Sequence, residues 1–457
     1  MEKKKPTGMI SGRLFCFLIL TAFALLSMNY LTRELWFDEV LTLQFANLSS
    51  VAEIYRSYTI PNNQIIHTVF IHWLLNGGMI PEFLRFFPLF CAALMLFLLW
   101  KNFCRELGRG PLLLALGSLV LSPPFLLYSS AVRGYMLAAL FCVCALCAAR
   151  KYALGGKWRF AGAWLCFSML AAGVMPSALA GIAGAGLYVL PYCGKKFWKH
   201  RKSYLLAVMP FAAFILFYLP IFSDLQKAFE LKEGWHHGGS ALLALAAAVV
   251  TTFSVPLLSG MFFHRPKWRY WPRMLIWFLP LGGLLLPVAP FPRVWFVLFP
   301  LFALLCAGYL RRLPEKFALF AGASILIWGT VTSLEVSREL ISPVVSLGGQ
   351  DDFFAPRFAT ARFTPSATAE FIQHRYGSRG AAAVFASFDS DPFALLYYLP
   401  LNMDVPPGKC RYLPSGTLIV LSIGEEPADY ALRFNGTLTE VYRNALHRVF
   451  LFRKTAL

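Results

Sequence analysis

The feature that most constrains this chain is a succession of apolar runs, each near the length of a helix that crosses a bilayer. The hydrocarbon core of a bilayer is ~30 Å thick, and about 20 helical residues span it. Eleven segments approach that requirement: 14–31, 83–100, 112–128, 135–149, 160–173, 177–190, 204–222, 241–262, 274–288, 294–310 and 317–333. A further run at 65–75 is only about half as long as a span needs. The bilayer is therefore the expected main solvent. Composition agrees, because only 14% of the 457 residues are charged, against about 25% in a soluble domain.

Charge sets the expected direction of these spans. The net charge is +19, which in a soluble protein would suggest nucleic acid. Here the cations cluster in short loops between apolar runs, which is a topology signal, and no nucleic-acid partner is expected. If 65–75 does not span, the basic segments 101–109, 150–159, 195–202, 265–273 and 311–316 all fall on the side of residues 1–13. Those six segments hold 23 Lys and Arg, against about seven in the opposite short loops. If 65–75 does span, every later basic loop moves to the wrong side. The positive-inside rule thus predicts a juxtamembrane helix at 65–75, a cytoplasmic N-terminus and an exported C-terminal part. The run at 14–31 is too long for a signal-peptide core and is expected to remain as the first span.

The composition changes after Ser333, where Asp351, Asp352, Pro356 and Pro365 replace long apolar runs. Two domains are expected: a transmembrane domain at 1–334 and an exported soluble α/β domain at 335–457. In the latter, 382–388, 417–422 and 449–452 read as strands and 391–399 as a helix. Only Cys410 of the ten cysteines lies there, so no internal disulfide is expected. Cys142, Cys144 and Cys147 read as small residues at helix contacts rather than metal ligands.

Three groups of polar residues stand out on the exported side. Asp38 and Glu39 lie just beyond the first span, beside Trp36 and Phe37. They fit a solvated loop end with interfacial aromatics, and equally a general base whose basicity partial burial raises. Asn62, Asn63, Gln64 and His67 open the juxtamembrane helix. They fit ordinary helix capping, and equally hydrogen bonding to sugar hydroxyls or a phosphate. Arg85, Arg133 and Arg293 sit where the positive-inside rule disfavours arginine. Each fits snorkelling to headgroups, and three of them beside Tyr128 and Tyr135 also fit a common anionic ligand.

Five stretches together resemble the GT-C membrane glycosyltransferases, including the protein O-mannosyltransferase and aminoarabinose-transferase group. Trp36-Phe37-Asp38-Glu39 resembles the family's aromatic-flanked acidic pair. Asn62-Asn63-Gln64-Ile65-Ile66-His67-Thr68 resembles its Asn-Asn-His-Pro-Leu-type opening of a juxtamembrane helix. Glu82-Phe83-Leu84-Arg85 resembles the arginine that opens the next span. The stretch from Tyr128 to Tyr135, with Arg133 inside it, resembles a Tyr-Ser-Arg-Glu-Ala-Arg-Met-Tyr segment. Pro292-Arg293-Val294-Trp295, with Pro300, is similar to a late Pro-Arg-Tyr motif. Gln64 and Ile65 depart from the usual His and Pro, and Ala131 from a frequent Glu.

The resemblance implies a GT-C-like bundle of about 11 transmembrane helices with a juxtamembrane helix and a small exported α/β domain. It implies inverting transfer of a sugar from a polyprenyl-phosphate-linked donor to a lipid, glycan or protein acceptor. Asp38 would be the general base, and Glu39 would orient the acceptor or support the loop. Arg133, Arg293 and Arg85, with Tyr128 and Tyr135, would hold the donor phosphate. Asn62, Asn63, Gln64 and His67 would contact substrate. No cofactor is implied, and a divalent metal is not required. Two other classes remain open: a transporter or flippase for a lipid-linked or anionic substrate, and a non-catalytic GT-C-like binding protein.

Overall fold

The structure, a computed structural model, describes residues 8–57, 63–193, 201–230, 238–263, 271–285, 292–337, 363–377, 383–387, 390–399 and 413–455. The chain divides into two compact units. One comprises Met1–Leu31 with Phe45–Pro356; the other comprises Thr32–Gln44 with Arg357–Leu457.

The first unit is helical. Among the described residues six helices are long and apolar enough to cross a membrane: Leu14–Leu31, Pro81–Leu107, Tyr135–Gly155, Leu242–Gly260, Arg293–Leu310 and Phe317–Leu334. A seventh span is made if the bent pair Arg109–Val120 and Pro123–Ser130 is counted as one. Its 69° bend falls at Pro123-Pro124. Proline lacks the N–H that would continue the ladder, and it pushes the preceding residue out of helical backbone. Ser122 accordingly adopts extended backbone and caps the new helix, accepting a bond from the Phe125 N–H.

Three of the remaining expected spans are shorter helices, Trp158–Val174, Ala178–Tyr192 and Pro210–Asp224. The expected run at 274–288 is described as the turn Trp271–Met274 followed by the 3-10 stretch Leu275–Leu285, with Pro280 inside it. Ile65–Asn76 has 12 residues, about 18 Å of helix, which is too short to cross the core.

Burial separates inner from outer helices. In Arg293–Leu310 78% of the span is buried, and in Leu14–Leu31 only 22%. The outer faces carry Phe17, Leu25, Phe90, Leu319 and Phe320, all exposed. So much outward apolar surface is stable only against lipid. Inner helices approach closely through small residues. A Cβ at Gly181 would lie 2.6 Å from the Cys142 sulfur, and the Cys142 thiol donates to the Ala178 carbonyl. At the basic-loop ends, Glu106 accepts from Arg150 at 3.0 Å and from the Tyr192 hydroxyl, and pairs with Arg273 at 3.6 Å. That cluster joins four segments where charges can still reach the interface.

The second unit is built on a four-stranded mixed sheet. The strands are β1 (Val384–Ala386), β2 (Leu418–Ser422), β3 (Gly436–Arg443) and β4 (His447–Lys454), in the order β1-β2-β4-β3. β1 and β2 are parallel, and the other pairs are antiparallel. Alternate residues feed two cores. Val384, Ala386, Leu418, Val420 and Val449 pack with the helices Pro365–Tyr376 and Pro392–Tyr398. Phe385, Ile419, Leu421, Phe450 and Phe452 pack with the helix Pro427–Phe434. Both faces are covered, so β1 and β2 read as continuous apolar runs.

The loop after the first helix belongs to this unit. Ser366 donates to Glu34 from its N–H at 2.8 Å and its hydroxyl at 2.6 Å. Asp391 accepts the Phe37 N–H at 2.9 Å, and the Leu35 N–H donates to the Tyr398 hydroxyl at 3.3 Å.

Candidate functional site

The acidic pair lies in the first turn of the helix Phe37–Ala46, where unpaired N–H groups and the helix dipole favour carboxylates. Trp36 caps that helix, and Glu39 reaches back to accept the Trp36 N–H at 3.3 Å, half of a capping box. Glu39 also takes a two-point bond from Arg33, at 3.0 and 3.2 Å, with both side chains fully buried. The Arg33 guanidinium lies 4.9 Å from the Trp36 ring centroid. Glu39 thus anchors the loop that carries Asp38. Asp38 is 7% exposed, and its carbonyl accepts the Thr42 hydroxyl.

Arg33 did not figure among the candidate residues. The signal for it was in the sequence, since it is an arginine on the side where the positive-inside rule disfavours cations.

The remaining expected residues belong to the other unit. Asn62 lies outside the described residues. Asn63 does not cap the Ile65–Asn76 helix; Gln64 holds the cap position, with no side-chain cap bond. Instead the Asn63 amide donates to the carbonyls of Ile54 and Ser57, and its side-chain oxygen accepts from Thr68. Those bonds fix where the helix starts.

Gln64 reaches much further along the chain. Its side-chain oxygen accepts the Gly134 N–H, joining the helix opening to the Tyr128–Tyr135 stretch. Gly134 is required by close approach: a Cβ there would lie 2.6 Å from Val174 and 3.0 Å from Gln64 and His67. His67 is fully buried, and among the described residues neither ring nitrogen has a hydrogen-bond partner. Burial, and secondarily the charge of Arg133, pushes its pKa down to about 3. It is therefore a neutral imidazole with one donor and one acceptor to offer.

Arg85 and Arg133 are both buried. Arg85 donates to the Ser130 carbonyl at 3.1 Å, satisfying the end of the Pro123–Ser130 helix. The Arg133 guanidinium lies 5.9 Å from the Tyr135 ring centroid. Tyr135 packs on Tyr128 with centroids 4.7 Å apart, and Tyr128 on Phe296 at 4.9 Å. Phe296 sits in the 3-10 stretch Pro292–Leu298 that carries Arg293, itself half-buried. Four stretches remote in sequence therefore meet around two buried guanidiniums, a neutral histidine and two tyrosines. A cluster of this composition can hold an anion by charge and orient hydroxyl groups by hydrogen bonds. Among the described residues no group of three or more His, Cys, Asp or Glu is arranged to hold a metal ion.

The helices and their lipid-facing surface define an integral membrane protein that also carries a small mixed-sheet unit. Among solved structures the chain is similar to ArnT from Cupriavidus metallidurans in the apo state, with 14% identity and a TM-score of 0.58, over 97% of this chain and 98% of that one. It is similar at 13% identity and a TM-score of 0.57 to the same protein bound to undecaprenyl phosphate, over 98% of both chains. It also matches the arabinofuranosyltransferase AftD from Mycobacteria at 13% identity and a TM-score of 0.50, over 96% of this chain and 41% of AftD. No protein-family model matches the sequence, and no curated protein does. At these identities the likeness is one of fold.

Proposed function

We propose that the protein is a membrane glycosyltransferase that moves a hexosyl or pentosyl group from a polyprenyl-phosphate-linked donor to an acceptor on the exported face. The observation that carries this reading is the buried cluster of Arg133, Arg85, His67, Gln64, Tyr128 and Tyr135, within a fold shared with a protein solved with undecaprenyl phosphate. The excess of Lys and Arg in the opposite loops supports the exported orientation of the reaction.

In this reading Arg133 and Arg293, backed by Arg85, hold the donor phosphate, and Tyr128 and Tyr135 wall it. His67 and Gln64, with Asn62, face the sugar, while Asn63 fixes the loop that carries them. Asp38 takes the proton of the acceptor hydroxyl or amine as that atom attacks the anomeric carbon. The carbon–oxygen bond to phosphate breaks on the opposite face, so configuration inverts, and the electron pair leaves on polyprenyl phosphate. The guanidiniums stabilise the charge as it develops, so the chemistry needs no divalent metal.

The test uses membranes supplied with polyprenyl-phosphate-linked sugars and excess EDTA. Asp38→Asn is expected to lower transfer by about 10²- to 10⁴-fold, the usual worth of a positioned base, with donor affinity kept. Arg133→Ala is expected to weaken donor binding about tenfold or more, in line with a lost charge-assisted bond. Full transfer by Asp38→Asn removes the base assignment. Unchanged donor affinity in Arg133→Ala removes the phosphate assignment, and loss of wild-type activity in EDTA overturns the metal-free reading.

A further inference from the structure

A cavity of about 820 Å³, with no lining residue from the cluster just described, lies in the first unit between the helices Gly8–Leu31, Phe86–Leu107 and Arg109–Val120. Its wall is apolar, with Ile19, Phe23, Ala93 and Phe97 among the lining side chains. Its one charged lining residue is Arg109, which shares an end of the cavity with Trp100. A second cation borders that end, because the Lys101 ammonium lies 5.5 Å from the Phe97 ring centroid. Lys101 and Arg109 are both exposed.

The dimensions of the groove suit one leaflet. Along the Phe86–Leu107 helix its lining runs from Leu89 to Trp100, which at 1.5 Å per residue is about 16 Å. That is half of a ~30 Å hydrocarbon core. Both cations stand at the basic-loop end, and Trp100 there is the residue type that favours the headgroup boundary. The other end, at Leu89 and Val120, is apolar.

We propose that this groove binds one anionic glycerophospholipid from the leaflet bordering the 101–109 loop. An acyl chain fills the cavity, and the phosphate pairs with Arg109 and Lys101. Charge complementarity selects this occupant over a zwitterionic lipid. The depth of a single leaflet selects it over a polyprenyl chain anchored at the opposite surface.

Native mass spectrometry of the full chain released from mild detergent tests this directly. The probes are phosphatidylglycerol, phosphatidylcholine and undecaprenyl phosphate. One phosphatidylglycerol should be retained per chain in preference to phosphatidylcholine. A basic residue near a charged lipid surface contributes about fivefold, so Lys101→Gln with Arg109→Gln should reduce that preference about 25-fold. Ala93→Trp, which fills the groove from an exposed position, should abolish the adduct. If that variant does not fold, the paired glutamine variant decides, since it changes only exposed side chains. Equal retention of the two phospholipids by the wild type overturns the proposal. So do an unchanged preference in the glutamine variant, stoichiometric displacement by undecaprenyl phosphate, and a dimer that excludes lipid from this face. Sugar transfer does not enter any of these readouts, so the result is independent of the catalytic reading.

Discussion

At the scale of the residue, burial decides which polar side chains can act and which only hold. Glu39 and Asp38 are neighbours in one helical turn, yet both oxygens of Glu39 are committed to Arg33. A buried charge left without its partner costs several kcal/mol, so Glu39 is a structural anchor of the loop that carries Asp38. His67 shows the reverse case, a buried ring kept neutral by its surroundings. Its pKa falls from an ordinary 6.5 to about 3. The unfolded chain therefore binds a proton below pH 6.5 that the folded chain refuses until about pH 3. The stability that this residue confers is complete above pH 6.5 and is lost progressively as the pH falls from there towards 3. Thermal unfolding across that window should lose part of its acid sensitivity in His67→Gln, which stays neutral throughout. An identical pH profile in the variant would contradict the assignment.

At the scale of the element, small residues and prolines do what long apolar runs alone do not. The Tyr135–Gly155 and Ala178–Val189 helices meet where Gly181 faces Cys142. Packing between membrane helices relies on such close approach, because lipid tails are as apolar as the side chains they replace. Gly181→Ala should destabilise the protein by about 1–3 kcal/mol through overpacking. Cys142→Ala, which removes the sulfur from the contact, should recover most of that loss in the double variant. Thermal melts of the two single variants and the double variant in detergent check it, and additive losses would show that the two residues are not in contact. The bend at Pro123-Pro124 acts at the same scale. It starts the Pro123–Ser130 helix, and at that helix's opposite end Arg85 satisfies the Ser130 carbonyl.

At the scale of the whole molecule, residues 32–44 lie far from the C-terminal unit in sequence and fold as part of it. Asp391 is central to that assembly. One carboxylate oxygen caps the Pro392–Tyr398 helix through the Ala394 N–H, and the other accepts the Phe37 N–H next to Asp38. Its backbone is left-handed, with φ 52°, a region in which Asn and Asp are the best-tolerated side chains after Gly. Asp391→Asn should therefore melt close to the wild type. Asp391→Ala should lose about 1–2 kcal/mol from the cap alone and more from the bond to the loop. Sugar transfer should fall further in the alanine variant than in the asparagine one, because the loop holds the proposed base. Equal activities would uncouple the loop from the C-terminal unit.

Apolar period and charge asymmetry are local properties of the chain, and they were enough to read a membrane protein, most of its helical segments and the short helix at 65–76. Apolar runs doubly buried in a sheet are equally local, so β1, β2 and the core of β4 were legible. β3 was not, because Gly436–Arg443 is a half-exposed edge strand whose polar sequence resembles a loop. The helices Pro365–Tyr376 and Pro427–Phe434 escaped notice because they are short and weakly apolar. The candidate residues themselves could be picked out one at a time, as polar groups on the side of the membrane that charge bias disfavours. Only the folded chain decided that Gln64 reaches Gly134, that Arg85 serves Ser130, and that Arg33 claims Glu39. Those are contacts between segments that no periodicity links, and pairing of that kind is set by how the elements pack.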